Sequence, residues 1–378
     1  MSTTHVFIVD STTFKYHLEY LFVGTGAKDE YIDFNNNSFT ELHSKKETNL
    51  LAMMADIQRV RKGDHVIFYL QQNSKEEIHE GKFYGVFKIK ENLSFLDNND
   101  ENQYLKEYLR KSLTFRAIIE PEQVYADGIT EWEALDEIKN IQSPNQMLWS
   151  LIYRKLKGNR GNTMITLYES ERLIDLIRKK NLRCILSGTN FSFDKKTQKI
   201  INIEKVNKYK GRKEKINILP RLISKYNKGN KFEAHLQTYI LQNINNINIF
   251  KNYDIEWLGN EVSCGVGMQR IDIMLSISDK NRKVIPIELK STCAYPGIIN
   301  QIQRYLDWLE QYYIPNRPSD MEPMIISRKI SDKTKDDYKK VVDSLNSFNN
   351  ENNKLSLKIR YVEFEIINDE IKFTEVKY

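Results

Sequence analysis

Asp272, Glu288 and Lys290 are the residues of this chain best suited to chemistry. Two carboxylates offer hard oxygen ligands to Mg²⁺, and the backbone carbonyl of Leu289, between Glu288 and Lys290, is a third. A metal so held lowers the pKa of a bound water and neutralises charge growing on phosphorus. Lys290 would orient that water or face the developing negative charge. This is the equipment of phosphodiester hydrolysis. Gln301 and Tyr305 stand one helical turn apart, so their polar tips reach the same place. Taken singly, each member reads equally well as an ordinary surface or packing residue; their order and spacing together favour a site.

The elements that must position them can be read from periodicity. Ile271 to Ile277 alternates, so Asp272 leaves the strand on the face opposite the isoleucines, and Arg270 is expected to point with the isoleucines. Val284 to Lys290 also alternates, with Glu288 and Lys290 sharing a face. A polar turn at Asp279-Lys-Asn-Arg282 joins the two strands as a hairpin. Pro286 interrupts the second strand and suggests an edge or a bulge. Helices are expected around Phe232 to Ile240, with Glu233 and Gln237 beside its apolar stripe, from Pro296 to Tyr312, and from Asp332 to Leu345. A strand at Met324–Ile326 and a closing pair hinged at Asn368-Asp369 complete this half.

Residues before about 185 have another rhythm. His5–Val9, His65–Leu70, Gly81–Ile89 and Leu113–Ile119 read as strands, and Leu50–Val60, Trp132–Ile138, Gln146–Leu156 and Leu173–Lys180 as helices. Between the halves, Lys205 to Lys231 is rich in lysine and arginine with the single acid Glu214. Such a run reads as a solvated linker or as a basic strap on a phosphate backbone, with Lys208, Lys210, Arg212 and Lys213 as contacts. We therefore expect three parts: 1–185, a basic linker 186–230, and 231–378.

Composition narrows the class. A length of 378 residues, 40% apolar and 29% charged, suits two soluble domains. Net charge +6 favours a polyanionic partner without requiring one. Cys184, Cys264 and Cys293 are too few and too scattered for a disulfide framework or a zinc site, and the six histidines have no ligand spacing. With no signal-like start and no membrane-length apolar run, a cytoplasmic location is expected.

Arg270-Ile-Asp272, Ile287-Glu-Leu-Lys290, Gln301-Ile-Gln-Arg-Tyr305 and the helix Phe232-Glu-Ala-His-Leu-Gln237 occur in an order that resembles the PD-(D/E)xK nuclease superfamily. More narrowly, the stretch resembles the C-terminal domain of NucS/EndoMS-type endonucleases, over about residues 230 to 330. That resemblance implies a restriction-endonuclease-like mixed sheet flanked by helices and a Mg²⁺- or Mn²⁺-dependent DNA endonuclease. Asp272 and Glu288 would then be metal ligands, and Glu233 the helix carboxylate. The N-terminal stretch, through Lys62-Gly-Asp64 and the strand around Gly85, resembles EVE-type PUA-like domains over about residues 4 to 180. This implies a β-barrel with helices that reads a flipped or modified base. Rings and edge partners for such a base would come from Phe14, Phe68, Tyr69, Gln71, Trp149 and Tyr153, although Phe68 and Trp149 read equally as core.

The combined expectation is a two-domain α/β and α+β protein: a modification-dependent restriction endonuclease acting on double-stranded DNA as a homodimer. A mismatch- or structure-specific repair endonuclease is one alternative. A non-catalytic nucleic-acid binder, directed to RNA, is another.

Overall fold

A computed structural model describes residues 2–26, 31–34, 44–148, 161–229, 231–265, 269–278, 280 and 282–378. The chain divides into two compact units, Met1–Ser143 with Met147–Ile216, and Asn217–Tyr378 with Pro144–Gln146. Both mix helices with sheet.

In the first unit β1 (Thr4–Val9) leads through α1 (Ser11–Tyr20) to β2 (Phe22–Thr25), and α2 (Ser44–Gln58) precedes β3 (His65–Leu70) and β4 (Lys82–Ile89). Then come β5 (Phe95–Leu96), α3 (Lys106–Leu109), β6 (Phe115–Pro121), β7 (Ile129–Thr130), α4 (Glu131–Asp136), β8 (Asn162–Ile165), α5 (Leu167–Lys180), β9 (Phe191–Asp194) and β10 (Lys199–Asn202). The sheet runs β2-β6-β4-β3-β1-β8, with β5 on β6 and β7 on β4. Among the described residues no pairing joins β2 to β8, so the sheet is open where a closed barrel was expected.

β1 and β3 run parallel, Thr4 facing His65. The Lys62-Gly63-Asp64 turn sets that start. Gly63 sits at φ +85°, where a side chain would be strained. Asp64 is buried and accepts from the Thr3 N–H at 3.1 Å and the Arg61 N–H at 2.9 Å, while His5 Nε2 stands 2.9 Å from its carboxylate. One carboxylate therefore pins two neighbouring strand ends.

The expected linker 186–230 is not a separate segment. β9 and β10 form a hairpin on the first unit, with Phe193 4.8 Å from the Phe14 ring. Beyond them the chain straps the same unit: Glu214 bridges to Leu96, and Tyr209 Oη donates to Asp97 at 2.8 Å. Arg212 holds Asp100 at 2.7 and 2.8 Å, and Lys213 holds Glu91 at 2.6 and 2.8 Å. The boundary falls after Ile216, and Arg212 and Lys213, which look unpaired in sequence, are tied back to acidic side chains at residues 91–100 of the same unit.

The second unit carries α6 (Leu219–Asn227), α7 (Glu233–Asn243), β11 (Ile255–Ser263), β12 (Arg270–Ile277), β13 (Lys283–Cys293) and α8 (Ile299–Tyr312). β14 (Asp320–Met321), β15 (Met324–Arg328), α9 (Asp336–Glu351), β16 (Arg360–Ile367) and β17 (Glu370–Glu375) follow. Sheet order is β11-β12-β13-β15-β16-β17, with β14 also on β13. The β13–β15 and β15–β16 pairs are parallel, crossed by α8 and α9 as parallel connections require. Asn368 and Asp369, both at positive φ, make the two-residue turn between β16 and β17.

Pro286 lies in the middle of this sheet, not at an edge. Leu289 directs its N–H toward β12, so alternation turns the missing N–H of Pro286 to the other side. There β13 passes from Met321 of β14, opposite Val284, to Met324 of β15, opposite Ile287. The proline occupies the break between two short partners, where no ladder bond is lost.

Candidate active site

β12 and β13 pair antiparallel from Ile277–Lys283 to Ile273–Ile287, and the ladder ends there. The next residues in that register are Asp272 and Glu288. Asp272 Oδ2 accepts the Leu289 N–H at 2.7 Å, standing in for a ladder bond. On the other side β11 pairs with β12 through Val262–Ile271, which sets Glu261 across from Asp272. Three carboxylates thus lie in a row over three neighbouring strands.

Cations and hydroxyls hold the row in place. Lys290 Nζ pairs with Glu288 Oε1, and Tyr305 Oη, from α8, reaches Glu288 Oε2 and lies 2.9 Å from the Arg270 carbonyl. Glu288 is 1% exposed, so these partners meet its charge almost without water. Gln237 of α7 donates to the Asp272 carbonyl at 2.8 Å and reaches Glu261 at 3.3 Å. Arg270 Nη1 is 3.0 Å from Glu261 Oε2. Arg270 therefore does not point with the isoleucines: two residues from Asp272, it shares that face by the two-residue period of a strand.

The electrostatics follow. Burial, and then the Glu288 charge, raise the Asp272 carboxyl well above the usual carboxylate range. Burial pulls Lys290 down, but the Glu288 carboxylate, with Glu233 and Asp272, outweighs it, so its ammonium is held more firmly than usual. Burial and Glu288 together push the Tyr305 hydroxyl up, so it stays a donor.

The structure thus brings together Asp272, Glu288, Leu289, Lys290, Tyr305 and Arg270. Glu233 borders the group: it is exposed, and its Oε1 is 3.4 Å from the Ser291 N–H. Gln301 sits one turn from Tyr305, with its amide oxygen 3.5 Å from the Tyr295 hydroxyl instead of with the carboxylates. Among the described residues no cluster of three or more acidic, histidine or cysteine side chains has metal-holding geometry. Glu261 was missed from sequence. It stands nine residues before Arg270 in a strand whose pattern Gly259 and Asn260 interrupt, and no motif contains it.

The expected base contacts fare differently. Phe14 and Phe68 are 0% exposed, their rings 5.1 Å apart, with Tyr84 5.1 Å from Phe14. They are core, with no face open to a base. Tyr69 is buried against Phe83 at 4.9 Å and donates to Glu131 at 2.9 Å. Gln71 is half-buried just past β3, and Trp149 and Tyr153 lie outside the described residues. Phe14→Leu should cost about 1–2 kcal/mol in urea unfolding and leave any base preference unchanged. A change of base preference at full stability would return Phe14 to a binding role.

Of the proposed phosphate contacts, Arg212 and Lys213 are committed to carboxylates, while Lys208 and Lys210 are exposed.

No protein-family model matches the chain, and no curated protein matches it. Among solved structures, a hypothetical protein from Leishmania major aligns at 12% identity over 48% of this chain and 97% of that one, with a TM-score of 0.29. Human THYN1, solved with DNA containing 5-methylcytosine, aligns at 8% identity over 46% of this chain and 97% of that one, with a TM-score of 0.26. No described helix is long and apolar enough to cross a membrane.

Proposed function

We propose that the chain is a divalent-metal-dependent DNA endonuclease of PD-(D/E)xK type, whose first unit, an EVE-like reader, recognises a modified base. The observation that carries the hydrolase half is that Asp272 and Glu288 are the next residues in register where the β12–β13 ladder ends, with Lys290 on Glu288. The donor set suits a hard cation: Asp272, Glu288 and the Leu289 carbonyl are all oxygen, and the burial and Glu288 repulsion that raise Asp272 are what a dication would offset. Mg²⁺ or Mn²⁺ bound there would lower the pKa of a water and neutralise phosphate charge.

The chain's own groups do the rest. Lys290, kept charged by Glu288, faces the attacking water or the charge that develops on the phosphate. Tyr305 fixes the Glu288 carboxylate, and Gln237 anchors the backbone beneath Asp272. Arg270, held by Glu261, keeps a second cation on the same face. Double-strand scission needs two such centres, hence a homodimer. The reader half rests on the resemblance carried by the Lys62–Asp64 turn, whose Asp64 carboxylate accepts from the Thr3 and Arg61 N–H groups ahead of β1 and β3.

One experiment tests both halves: digestion of a single plasmid prepared with and without 5-methylcytosine or 5-hydroxymethylcytosine, in Mg²⁺, Mn²⁺ or EDTA. Cutting is expected with either metal, absent in EDTA, and faster on modified DNA. Equal rates on both substrates would reject the reader, and no cutting in either metal would reject the nuclease.

A further inference from the structure

The first unit contains a cavity of about 300 Å³, at the opposite end of β3 from Gln71. His65 opens that strand, and Val86 and the residues just after β6 continue the wall. One stripe of α5 covers it: Leu167, Ile174 and Arg178 recur at helical spacing.

Two polar groups in the wall are fixed in opposite senses. Glu122 has Lys88 Nζ at 2.6 Å and His65 Nε2 at 3.1 Å. Burial pushes its carboxyl up, but these two partners outweigh burial and hold it below the usual range. Glu122 is therefore an ionised group that only accepts. The Gln123 amide oxygen lies 3.1 Å from Arg178 Nη2 and 3.2 Å from the Tyr125 hydroxyl. With two donors on its oxygen the amide orientation is set, and the NH₂ end is left to donate. Val86, Leu167 and Ile174 supply apolar surface between these groups.

We infer that this cavity binds a single nucleobase carrying both an exocyclic amine and a ring carbonyl, the pattern of cytosine, its 5-substituted forms and guanine. The amine donates to Glu122, the carbonyl accepts from Gln123, and the ring lies on the apolar wall. In that pose uracil and thymine would turn a carbonyl toward a carboxylate, and adenine, its amine on Glu122, would set its C2–H, not an acceptor, against the amide. A volume near 300 Å³ is at the small end of ligand pockets, enough for one base and not for a strand. A free nucleoside and a base flipped out of DNA share this chemistry; only the second source rests on the reader half of the proposed function.

Isothermal titration of the full chain separates the cases. Ligands are cytidine, 5-methylcytidine, guanosine, adenosine and uridine, then duplexes with one central 5-methylcytosine or none. Cytidine or guanosine should bind at least about tenfold more tightly than uridine or adenosine. Ile174→Trp, which fills the cavity, should abolish that binding, and Glu122→Gln should erase the preference over uridine, both with melting temperatures near wild type. Absence of any base-dependent binding overturns the inference. Base-selective DNA binding that survives Ile174→Trp also overturns it, yet leaves the reader standing. Nucleoside binding lost in Ile174→Trp, beside plasmid cleavage blind to modification, upholds the cavity and rejects the reader.

Discussion

Asp272→Asn should reduce metal-dependent cleavage by on the order of a thousandfold and, at the same time, make the second unit more stable. The two effects share a cause. Burial and the Glu288 charge raise the folded Asp272 carboxyl well above its ordinary 3.8. Below that ordinary value the carboxyl is protonated both folded and unfolded, and it costs the fold nothing. As pH rises from there through the raised value, the folded chain keeps a proton that the unfolded chain has released, so stability falls. Lys290, with its raised pKa, stays charged throughout this window and does not reverse the trend. Asparagine still accepts the Leu289 N–H, but removes a carboxylate that Glu288 repels. The melting temperature of the variant should therefore lose the decline that wild type shows above about pH 4, and exceed wild type by a few degrees at neutral pH. Equal melting curves across the pH range would mean that neither burial nor the Glu288 charge raises Asp272, and would remove the main argument for a metal at this pair. Wild-type cleavage by Asp272→Asn would reject the site directly.

How much of this could be read from sequence depended on whether a residue's partner lay nearby in the chain. Ile271–Ile277 and Val284–Lys290 alternate and are joined by a short polar turn, so their hairpin and the meeting of Asp272 with Glu288 were legible. Glu261 was not, because β11 carries Gly259 and Asn260 in place of an unbroken apolar face and joins the site only through pairing with β12. α1 was missed as well: Asp10-Ser-Thr-Thr13 looks like a turn, yet it is the capping box that starts the helix, with Thr13 N–H on Asp10 at 2.7 Å. The aromatic candidates failed for a different reason. Type and position cannot separate a ring stacked on a ligand from one stacked on its neighbours, and Phe14 has three aromatic neighbours within about 5 Å. The basic run failed because its acidic partners, Glu91, Asp97 and Asp100, lie more than a hundred residues upstream.

That last point predicts the largest loss of stability in the first unit. Asp97→Ala should cost about 3–5 kcal/mol, the range for removing one partner of a buried ion pair. Asp97 and Arg116 side chains are both 0% exposed, with Arg116 Nη1 2.9 Å from the carboxylate. The same carboxylate takes the Tyr209 hydroxyl at 2.8 Å and the Tyr104 N–H at 3.1 Å. Without it, Arg116 keeps the Leu113 and Tyr104 carbonyls but loses its countercharge in a place water does not reach. The strap loses its central attachment, since Tyr209 and Arg212 both anchor on Asp97. Trypsin should therefore cut the variant first at Lys205, Lys208 and Lys210, before the body of the unit, and earlier than it cuts wild type. Arg212→Ala provides the contrast. Its guanidinium is a third exposed, so its loss should cost no more than about 1 kcal/mol. If Asp97→Ala instead melts like wild type and trypsin leaves 205–210 intact, the segment is held by its bridge to Leu96 together with Arg212 on Asp100 and Lys213 on Glu91, and Asp97 is not its central attachment.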